Sequence, residues 1–276
     1  MTDRYAVIGN PISHSKSPAI HMGFAAVTGQ DISYEALLAP KGGFAGAVDA
    51  FRAAGGRGLN VTTPFKLDAA AYATRLLSRA ELAGAVNAMS FDGAAVVADN
   101  FDGAGLVRDI VANLGCALRG RRVLLLGAGG AARGALQPIL GECPAEVAVA
   151  NRDAAKADGL ARQFAPYGTV SAMGLDALRL KPGGFEVVIN ATSSSLHGGM
   201  PDIAGAVFGP GCLAYDMVYS QGLTLFLRLA REAGAARLAD GVGMLVEQAA
   251  EAFAWWRGVR PDTRAVIAQM TVPLAK

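Results

Sequence analysis

The chain has 276 residues, of which 52% are hydrophobic and 17% are charged. This length is enough for one large domain or for two modest domains, each with its own hydrophobic core. The formal net charge is only +2 and no run of lysine or arginine stands out, so the sequence does not favour a nucleic acid or a membrane surface as a partner. No apolar stretch approaches the ~18 residues that a membrane helix needs.

Three cysteines, Cys116, Cys143 and Cys212, lie far apart and show no paired spacing. Their distribution argues against a bound metal ion and against a disulfide framework, and it suits a reducing compartment. The opening stretch MTDRYAVIGN is typical of a first strand and lacks the long apolar segment of a signal peptide. We therefore expect a cytoplasmic protein.

Short β-branched runs alternate with longer helical stretches over the first hundred residues. The pattern predicts strands in YAVIG, ISYEALLA and GLNVTT, and helices in SPAIHMGFAAVTG and GFAGAVDAFRAAGG. Residues 66–83 are predicted to be mostly helical. The stretch GAVNAMSFDGAAVVADN is predicted to form a hairpin that turns at Asp92 and Gly93. Together these elements predict a first α/β unit.

A second α/β unit is predicted to follow. The apolar strand VLLLG leads through a glycine turn into a helix, and AEVAVANR, GFEVVINATS and CLAYDMVY are typical of buried parallel strands. Intervening helices predict a doubly wound, Rossmann-like sheet. We expect residues 1–102 and 240–276 to form a substrate domain, residues 103–239 to form a nucleotide-binding domain, and a cleft to lie between the two.

The stretch GAGGAA has the order G-x-G-x-x-A and connects a predicted strand to a predicted helix. Such glycines permit a tight turn and let backbone N–H groups approach a pyrophosphate at a helix N-terminus. The motif alone is weak, but the strand–turn–helix context is what a dinucleotide site requires. The residues predicted to contact a nicotinamide cofactor here are Gly127, Ala128, Gly129, Gly130 and Ala131.

The end of the next predicted strand carries the signal for the type of cofactor. NAD enzymes place an acidic residue there, about 20 residues after the glycine loop, whereas this chain has Asn151 and Arg152, with Lys156 one helical turn further on. Two cations suit the 2′-phosphate of NADP, which a guanidinium can bind in bidentate fashion. Asp153 leaves an alternative open, because it can bind a ribose or cap the helix. The sequence favours NADP over NAD.

Polar side chains concentrate in NPISHSKSP, NVTTPFK and NAMSFDGAAVVADNFDG of the first unit. Hydroxyls and carboxamides suit a small polyhydroxylated ligand with a carboxylate, and Lys66 near Asp102 suits proton transfer to or from an alcohol during hydride transfer. Pro64 makes the lysine loop rigid, so we expect Lys66 to face Asp102 across the cleft. Structural alternatives remain: a solvated lysine, a helix cap at Ser17 and a turn at Asn87.

Motifs along essentially the whole chain resemble those of the shikimate dehydrogenases, in the same order. They are GNPISHSKSPAIH, NVTTPFK, AGAVN, DNFDG, GAGGAARG, NR, NATSS, YDMVY and DGVGMLVEQAA. This set is far more specific than any single motif. The resemblance implies an oxidoreductase, a monomer or a homodimer, that reduces 3-dehydroshikimate to shikimate with NADPH in the pathway to aromatic amino acids.

The resemblance also implies roles for individual residues. Lys66 and Asp102 would form the catalytic acid–base pair. The side chains implied for the substrate carboxylate are Ser15, Ser17 and Tyr219. Those implied for the ring hydroxyls are Asn60, Thr62, Asn87 and Gln248. Further cofactor contacts are implied for Thr192, Met217, Gly241 and Met244.

The last predicted helix supports the role of Gln248 independently. Its periodicity places Gln248 beside Met244 and Leu245 on the apolar side, and it predicts that Glu247 and Glu251 face the other way. A buried amide needs hydrogen-bond partners, which either a bound ligand or the neighbouring backbone can supply.

Several positions depart from the usual motifs of the family. Ala88 and Phe101 stand where threonine is usual, Ser195 stands where glycine is usual, and YSQGLTLFL lacks the usual proline after its threonine. Phe101 either crowds the substrate and shifts specificity toward a related cyclohexene or cyclohexane acid, or it faces the core. The alternative functions are a quinate/shikimate dehydrogenase that uses NAD and NADP, and a non-catalytic sensor of NADPH or a metabolite. Ser15 favours shikimate over quinate, because family members specialised for quinate tend to have threonine there.

Overall fold

The computed structural model describes residues 2–180, 184–192, 194, 199–220 and 222–271. These residues form two compact α/β units. The first runs to Gly105 and resumes at Val246–Gln269, and the second contains Leu106–Leu245 together with Met270 and Thr271. In these ranges no helix is both long enough and apolar enough to cross a membrane.

The first unit is built on a six-stranded mixed sheet. Its strands are β1 (Asp3–Gly9), β2 (Ile32–Leu38), β3 (Gly56–Val61), β4 (Arg75–Leu76), β5 (Ala88–Asp92) and β6 (Ala95–Asp99). They lie in the order β2-β1-β3-β5-β6-β4, and β5 is antiparallel to both of its neighbours. The predicted hairpin is confirmed, and it turns one residue later than expected, at Gly93 and Ala94, where Gly93 has a φ of +56°.

The helices of this unit differ from the prediction at one place. Over residues 2–100 they are α1 (Ser17–Thr28), α2 (Phe44–Ala53), α3 (Lys66–Tyr72) and α4 (Ser78–Ala83). The predicted mostly helical segment is interrupted by β4, which pairs with β6. Thr74 contributes, because its Oγ1 accepts from the Val96 N–H at 2.8 Å and donates to the Val96 carbonyl at 3.0 Å. The open edge of β6 thus outweighs local helix propensity.

The second unit is built on a parallel six-stranded sheet. Its strands are β7 (Arg122–Leu126), β8 (Glu146–Asn151), β9 (Val170–Gly174), β10 (Phe185–Asn190), β11 (Phe208–Asp216) and β12 (Arg237–Ala239). They lie in the order β12-β11-β10-β7-β8-β9, which confirms the doubly wound fold. The strand order reverses between β7 and β10, the point at which open α/β sheets bind ligands.

The remaining helices include two that carry the chain between the units. They are α5 (Asp102–Arg108), α6 (Gly130–Gly141), α7 (Ala154–Phe164), α8 (Leu175–Leu180), α9 (Leu225–Glu232), α10 (Val242–Arg257) and α11 (Arg264–Met270). The units divide at 105/106 inside α5 and at 245/246 inside α10. The predicted boundaries lie instead near the N-termini of the same two helices.

Candidate active site

Polar residues of the first unit gather at one edge of its sheet. Strands β3 and β6 end at this edge, and the antiparallel β5 between them begins there. Strand β3 is followed by Thr62 and by Lys66, which starts α3, while Asn87 precedes β5 and Asp102 follows β6. Because an antiparallel hairpin returns the chain to its starting edge, residues far apart in sequence come together here.

Lys66 and Asp102 form a direct ion pair. The Nζ of Lys66 donates to Oδ2 of Asp102 at 2.5 Å, and the two side chains keep 32% and 16% of their surface exposed, so a ligand can reach them. Asp102 opens α5, where a helix N-terminus favours an anion. Both residues belong to the first unit. The expectation that they face each other across a cleft between the units is therefore wrong, although the contact itself is present.

Asn87 connects this carboxylate to the last long helix. Its Nδ2 donates to Oδ1 of Asp102 at 2.8 Å and to Oε1 of Gln248 at 3.0 Å. Its Oδ1 accepts from the backbone N–H of Phe101 at 2.8 Å. Asn87 and Gln248 are only 3% and 8% exposed, which is the burial that the helix pattern predicts for Gln248. With both Nδ2 hydrogens in use, the Asn87 amide fixes the orientation of the Asp102 carboxylate.

The predicted outward orientation of Glu247 is wrong. Glu247 is fully buried, where its Oε2 pairs with Arg260 at 2.6 Å and its Oε1 accepts from the Thr263 hydroxyl at 2.6 Å. Arg260 also pairs with Glu251. The segment that follows α10 covers this side of the helix, and a helical period carries no information about a segment that packs on it later.

Asn60 lies at the end of β3 beside the same network. Its Nδ2 donates to the Asn87 carbonyl at 3.2 Å, and its Oδ1 accepts from the Tyr34 hydroxyl at 2.7 Å. Burial raises the pKa of Tyr34 well above its usual range, which keeps the hydroxyl a donor. Sequence reasoning missed Tyr34, whose only signal is its inward position in the alternating strand β2. Thr62 is half-buried at the same edge.

The two serines lie at the N-terminus of α1. The Oγ of Ser15 accepts from the backbone N–H of Ser17 at 3.3 Å. Ser17 does not cap the helix, because Lys16 occupies the N-cap position and Ser17 is the first helical residue. Both hydroxyls are therefore beside a helix N-terminus, which favours an anionic group. Tyr219 lies in the second unit, so its implied contact with a substrate carboxylate stays a prediction.

Ala88 and Phe101, which stand where threonine is usual, lie in one buried cluster. Ser195, another departure, lies outside the described residues. Phe101 is 2% exposed. Its ring meets the edge of Trp255 with centroids 5.7 Å apart, and the Arg79 guanidinium lies 4.8 Å above it. A ring this deeply buried offers no surface to a ligand. Of the two interpretations of Phe101, the structure supports the one in which it faces the core.

The glycine loop of the second unit lies where the strand order reverses. Gly127 has a φ of +108°, and a Cβ there would lie 3.2 Å from the backbone carbon of Ala191, which follows β10. Gly129 is the N-cap residue of α6. The loop thus has glycine where the backbone conformation and a close approach require it, and the helix N-terminus behind it suits a phosphate.

A cavity of about 720 Å³ opens beside this loop. The predicted cofactor residues that line it are Gly127, Ala128, Gly129, Gly130, Ala131, Asn151, Arg152, Lys156 and Thr192. Met217, Gly241 and Met244 do not line it. Met217 and Gly241 nevertheless lie together, since a Cβ on Gly241 would be 2.3 Å from the Met217 carbonyl oxygen.

The charges around the cavity bear on its ligand. Asp153 caps α7, because its Oδ1 accepts from the Ala155 N–H at 3.1 Å. The Nζ of Lys156 is 4.0 Å from Oδ2 of Asp153 on the exposed surface, and Arg152 is exposed beside them. Sequence reasoning missed Asp176 and Asp202, which also line the cavity. Within the described ranges, no group of three or more His, Cys, Asp or Glu residues could hold a metal ion.

Comparisons with known proteins identify the family of the chain. Sequence profiles match residues 7–89 (shikimate dehydrogenase substrate binding domain), 109–197 (shikimate / quinate 5-dehydrogenase) and 241–271 (shikimate 5′-dehydrogenase C-terminal domain). The shikimate dehydrogenase (NADP(+)) of Chromobacterium violaceum is 58% identical over 275 residues, which is 100% of both chains.

Two crystal structures extend the likeness to the fold. An Ael1 enzyme from Pseudomonas putida has a TM-score of 0.95 and 55% identity, covering 99% of this chain and 100% of that one. Shikimate 5-dehydrogenase from Thermus thermophilus, in complex with NADP(H) and shikimate, has a TM-score of 0.84 and 32% identity, covering 97% and 98%. Because more than half of the residues are identical to those of a relative of the same length, this protein belongs to the shikimate dehydrogenase family.

Proposed function

We propose that the protein catalyses the reversible, NADP-dependent reduction of 3-dehydroshikimate to shikimate, a step toward aromatic amino acids. The observation that carries this proposal is the Lys66–Asp102 pair, partly exposed and 2.5 Å apart, at the edge where hydroxyl and amide side chains gather. The relatives named shikimate dehydrogenase (NADP(+)) support the same reaction.

The Lys66–Asp102 ion pair would carry out the acid–base chemistry. When bound, NADPH would supply the hydride to the substrate carbonyl carbon. The Lys66 ammonium donates a proton to the carbonyl oxygen, and in the reverse direction the neutral amine accepts the proton of the alcohol. Asp102 accepts from the Lys66 ammonium, and Asn87 holds the carboxylate in place.

The neighbouring side chains would hold the substrate. Ser15, Ser17 and Tyr219 would bind its carboxylate, in keeping with the helix N-terminus beside the serines. Hydroxyls and amides bind ring hydroxyls by complementary donors and acceptors. The residues proposed for that role are Asn60, Thr62, Asn87 and Gln248. Both Nδ2 hydrogens of Asn87 are already used in hydrogen bonds to Asp102 and Gln248. Its contact with substrate would therefore use the second lone pair of Oδ1.

The cofactor site would be the cavity beside the glycine loop. The loop N–H groups would face the pyrophosphate, and Asn151, Arg152 and Lys156 would surround the 2′-phosphate. Thr192 would border the same cavity, and Met217, Gly241 and Met244 would lie toward the nicotinamide end. The donors present fit NADP, because two cations accompany a single capping carboxylate at the end of β8.

Replacing Arg152 by alanine is expected to raise KM for NADP⁺ about 10- to 100-fold, since a bidentate bond between charged groups contributes roughly 1.5–3 kcal/mol. KM for NAD⁺, which lacks the 2′-phosphate, should change by less than about threefold. Steady-state kinetics with both cofactors measure the effect. The matched control is Arg162→Ala, on the exposed surface of α7 and outside the cavity lining. Equal effects on both cofactors would remove the assignment of Arg152.

The reaction itself is tested with purified protein, shikimate and NADP⁺, by following the absorbance of NADPH. We expect turnover with shikimate and much slower turnover with quinate. Faster turnover with quinate, with either cofactor, would favour the quinate/shikimate alternative. Tight binding of NADPH without turnover of either acid would favour a sensor.

Replacing Phe101 by leucine is expected to lower the free energy of unfolding by roughly 1–2 kcal/mol, because the smaller side chain leaves a cavity beside Trp255. KM for shikimate should stay within about twofold of wild type, since the ring is buried. Urea unfolding and steady-state kinetics on the same preparation check both parts. A tenfold drop in KM would instead mean that Phe101 crowds the substrate.

We also propose a cytoplasmic location. Cys116, Cys143 and Cys212 are all free thiols, which suits a reducing compartment. We propose further that the active form is a monomer or a homodimer.

A further inference from the structure

His21, on α1, is a fully buried histidine that serves no role in the reaction described above. Its side chain is 0% exposed, and within the described residues neither Nδ1 nor Nε2 makes a hydrogen bond of ordinary geometry. A neutral imidazole has one donor and one acceptor. Leaving both unpaired in a core is unfavourable, so the presence of histidine here needs an explanation.

Packing alone does not explain it. The imidazole stacks on the Tyr34 ring with centroids 4.2 Å apart and planes within 6° of parallel. Trp256, Phe24 and Phe253 surround it with centroids 5.5–6.1 Å away. Every one of these contacts is aromatic, and a phenylalanine ring would fill the same space without unpaired nitrogens. What histidine adds at this position is hydrogen-bonding capacity.

The Asn60 side chain is a polar group close enough to the imidazole to act on its pKa. The Tyr34 hydroxyl, on the ring against which His21 stacks, donates to Oδ1 of Asn60 at 2.7 Å. Burial lowers the pKa of His21 to about 3, and the adjacent Asn60 side chain partly opposes this effect. The Nδ2 group of Asn60 carries two hydrogens, and the bond to the Asn87 carbonyl uses one of them. His21 and Tyr34 therefore converge on one amide.

We propose that His21 is a positioning residue that orients the Asn60 amide toward a ring hydroxyl of the substrate. The stack holds the Tyr34 ring, and the Tyr34 hydroxyl holds Oδ1 of Asn60. An imidazole nitrogen pairs with the Asn60 amide when that amide turns toward the ring hydroxyl of the bound substrate. This inference rests on the proposed function, because it takes Asn60 as a substrate contact. On this inference, His21 and Tyr34 help to determine the affinity for the substrate although they act through Asn60 and do not touch the substrate.

The test compares His21→Phe with wild type for KM and kcat on shikimate, for KM on NADP⁺ and for thermal unfolding. We expect KM for shikimate to rise about tenfold or more, while kcat and KM for NADP⁺ stay within about threefold. The melting temperature should stay level or rise by about 3 °C, because two buried unpaired groups are removed. In an Asn60→Ala background, His21→Phe should have no further effect on KM.

Matched variants separate positioning from packing. Phe24→Leu, in the same aromatic cluster but without a polar group, should lower the melting temperature and leave KM for shikimate unchanged. His21→Asn and His21→Gln each keep a polar group near one imidazole nitrogen, and one of them should restore KM to within about threefold of wild type. If His21→Phe does not fold, Tyr34→Phe takes its place, since it keeps the stack, removes the donor to Asn60 and should raise KM.

The inference is overturned by an unchanged KM in the folded variant, or by the same rise in KM when Asn60 is alanine. Its failure is distinct from failure of the proposed function. Wild-type protein that does not oxidise shikimate refutes the function. An active wild type, together with a His21→Phe variant whose KM for shikimate is unchanged, refutes only the role of His21.

Discussion

Replacing Lys66 by methionine is expected to lower kcat for shikimate oxidation by about 10³-fold, because positioned general acid–base catalysis typically contributes 10²–10⁴-fold. Methionine keeps an unbranched apolar stem and removes the amine that lies 2.5 Å from Asp102. Asp102 retains its bond from Asn87, so the carboxylate should stay in place. Steady-state kinetics at saturating shikimate and NADP⁺ measure the loss.

Two further measurements make this result specific. The dissociation constant for NADP⁺ should stay within about twofold, because Lys66 lies in the first unit and the cofactor cavity is lined by the second. Lys41→Met, at an exposed position, should leave kcat unchanged. A Lys66→Met variant that keeps more than about a tenth of wild-type kcat would refute the proposed acid–base pair.

Acidification should destabilise the protein steeply through His21. Burial lowers its folded-state pKa to about 3, whereas an unfolded histidine titrates near 6.5. Below pH 6.5 the unfolded chain takes up a proton that the folded chain does not, so the free energy of unfolding falls with pH by about 1.4 kcal/mol per unit. The contribution of His21 is thus fully present above pH 6.5 and is about 2 kcal/mol smaller at pH 5.

The measurement is the difference in unfolding free energy between His21→Phe and wild type from pH 7.5 to pH 4.5, by urea titration. Carboxylates titrate in both proteins, and their contributions to the free energy of unfolding largely cancel in this difference. We expect the difference to grow in favour of the variant as the pH falls. Phe24→Leu, which carries no titrating group, should differ from wild type by the same amount at every pH. A constant offset for His21→Phe would mean that the imidazole becomes protonated inside the folded chain.

Much of the fold follows from local pattern, because its strands are continuous apolar runs and its turns carry glycine. The strand β7 and the glycine loop ending at Gly129 are recognisable for this reason, and so is the hairpin around Gly93. Strands β9 and β12 escaped prediction. Every residue of β9 is only half-buried, and β12 has three residues, so neither shows the apolar run or the alternation that indicates a strand.

The candidate site likewise contains residues that the local sequence indicates and residues that it does not. Lys66 and Asp102 stand out as isolated charges beside turn residues. The partners of Glu247, and the relation between His21, Tyr34 and Asn60, depend on segments that meet only in three dimensions. Tyr34 reaches Asn60 because β2 and β3 both flank β1, and no periodicity along one segment contains that pairing. Local pattern therefore identifies the groups that react more readily than the groups that orient them.

The β5–β6 hairpin meets the reactive groups at one end only. Asn87 and Asn100 flank it at that end, while the exposed Gly93 and Ala94 turn at the other, one five-residue strand away, which is about 17 Å. A fluorophore or a short affinity peptide grafted into this turn would sit outside the reach of a small acid. The turn is thus an attachment point for a label that leaves the reactive groups untouched.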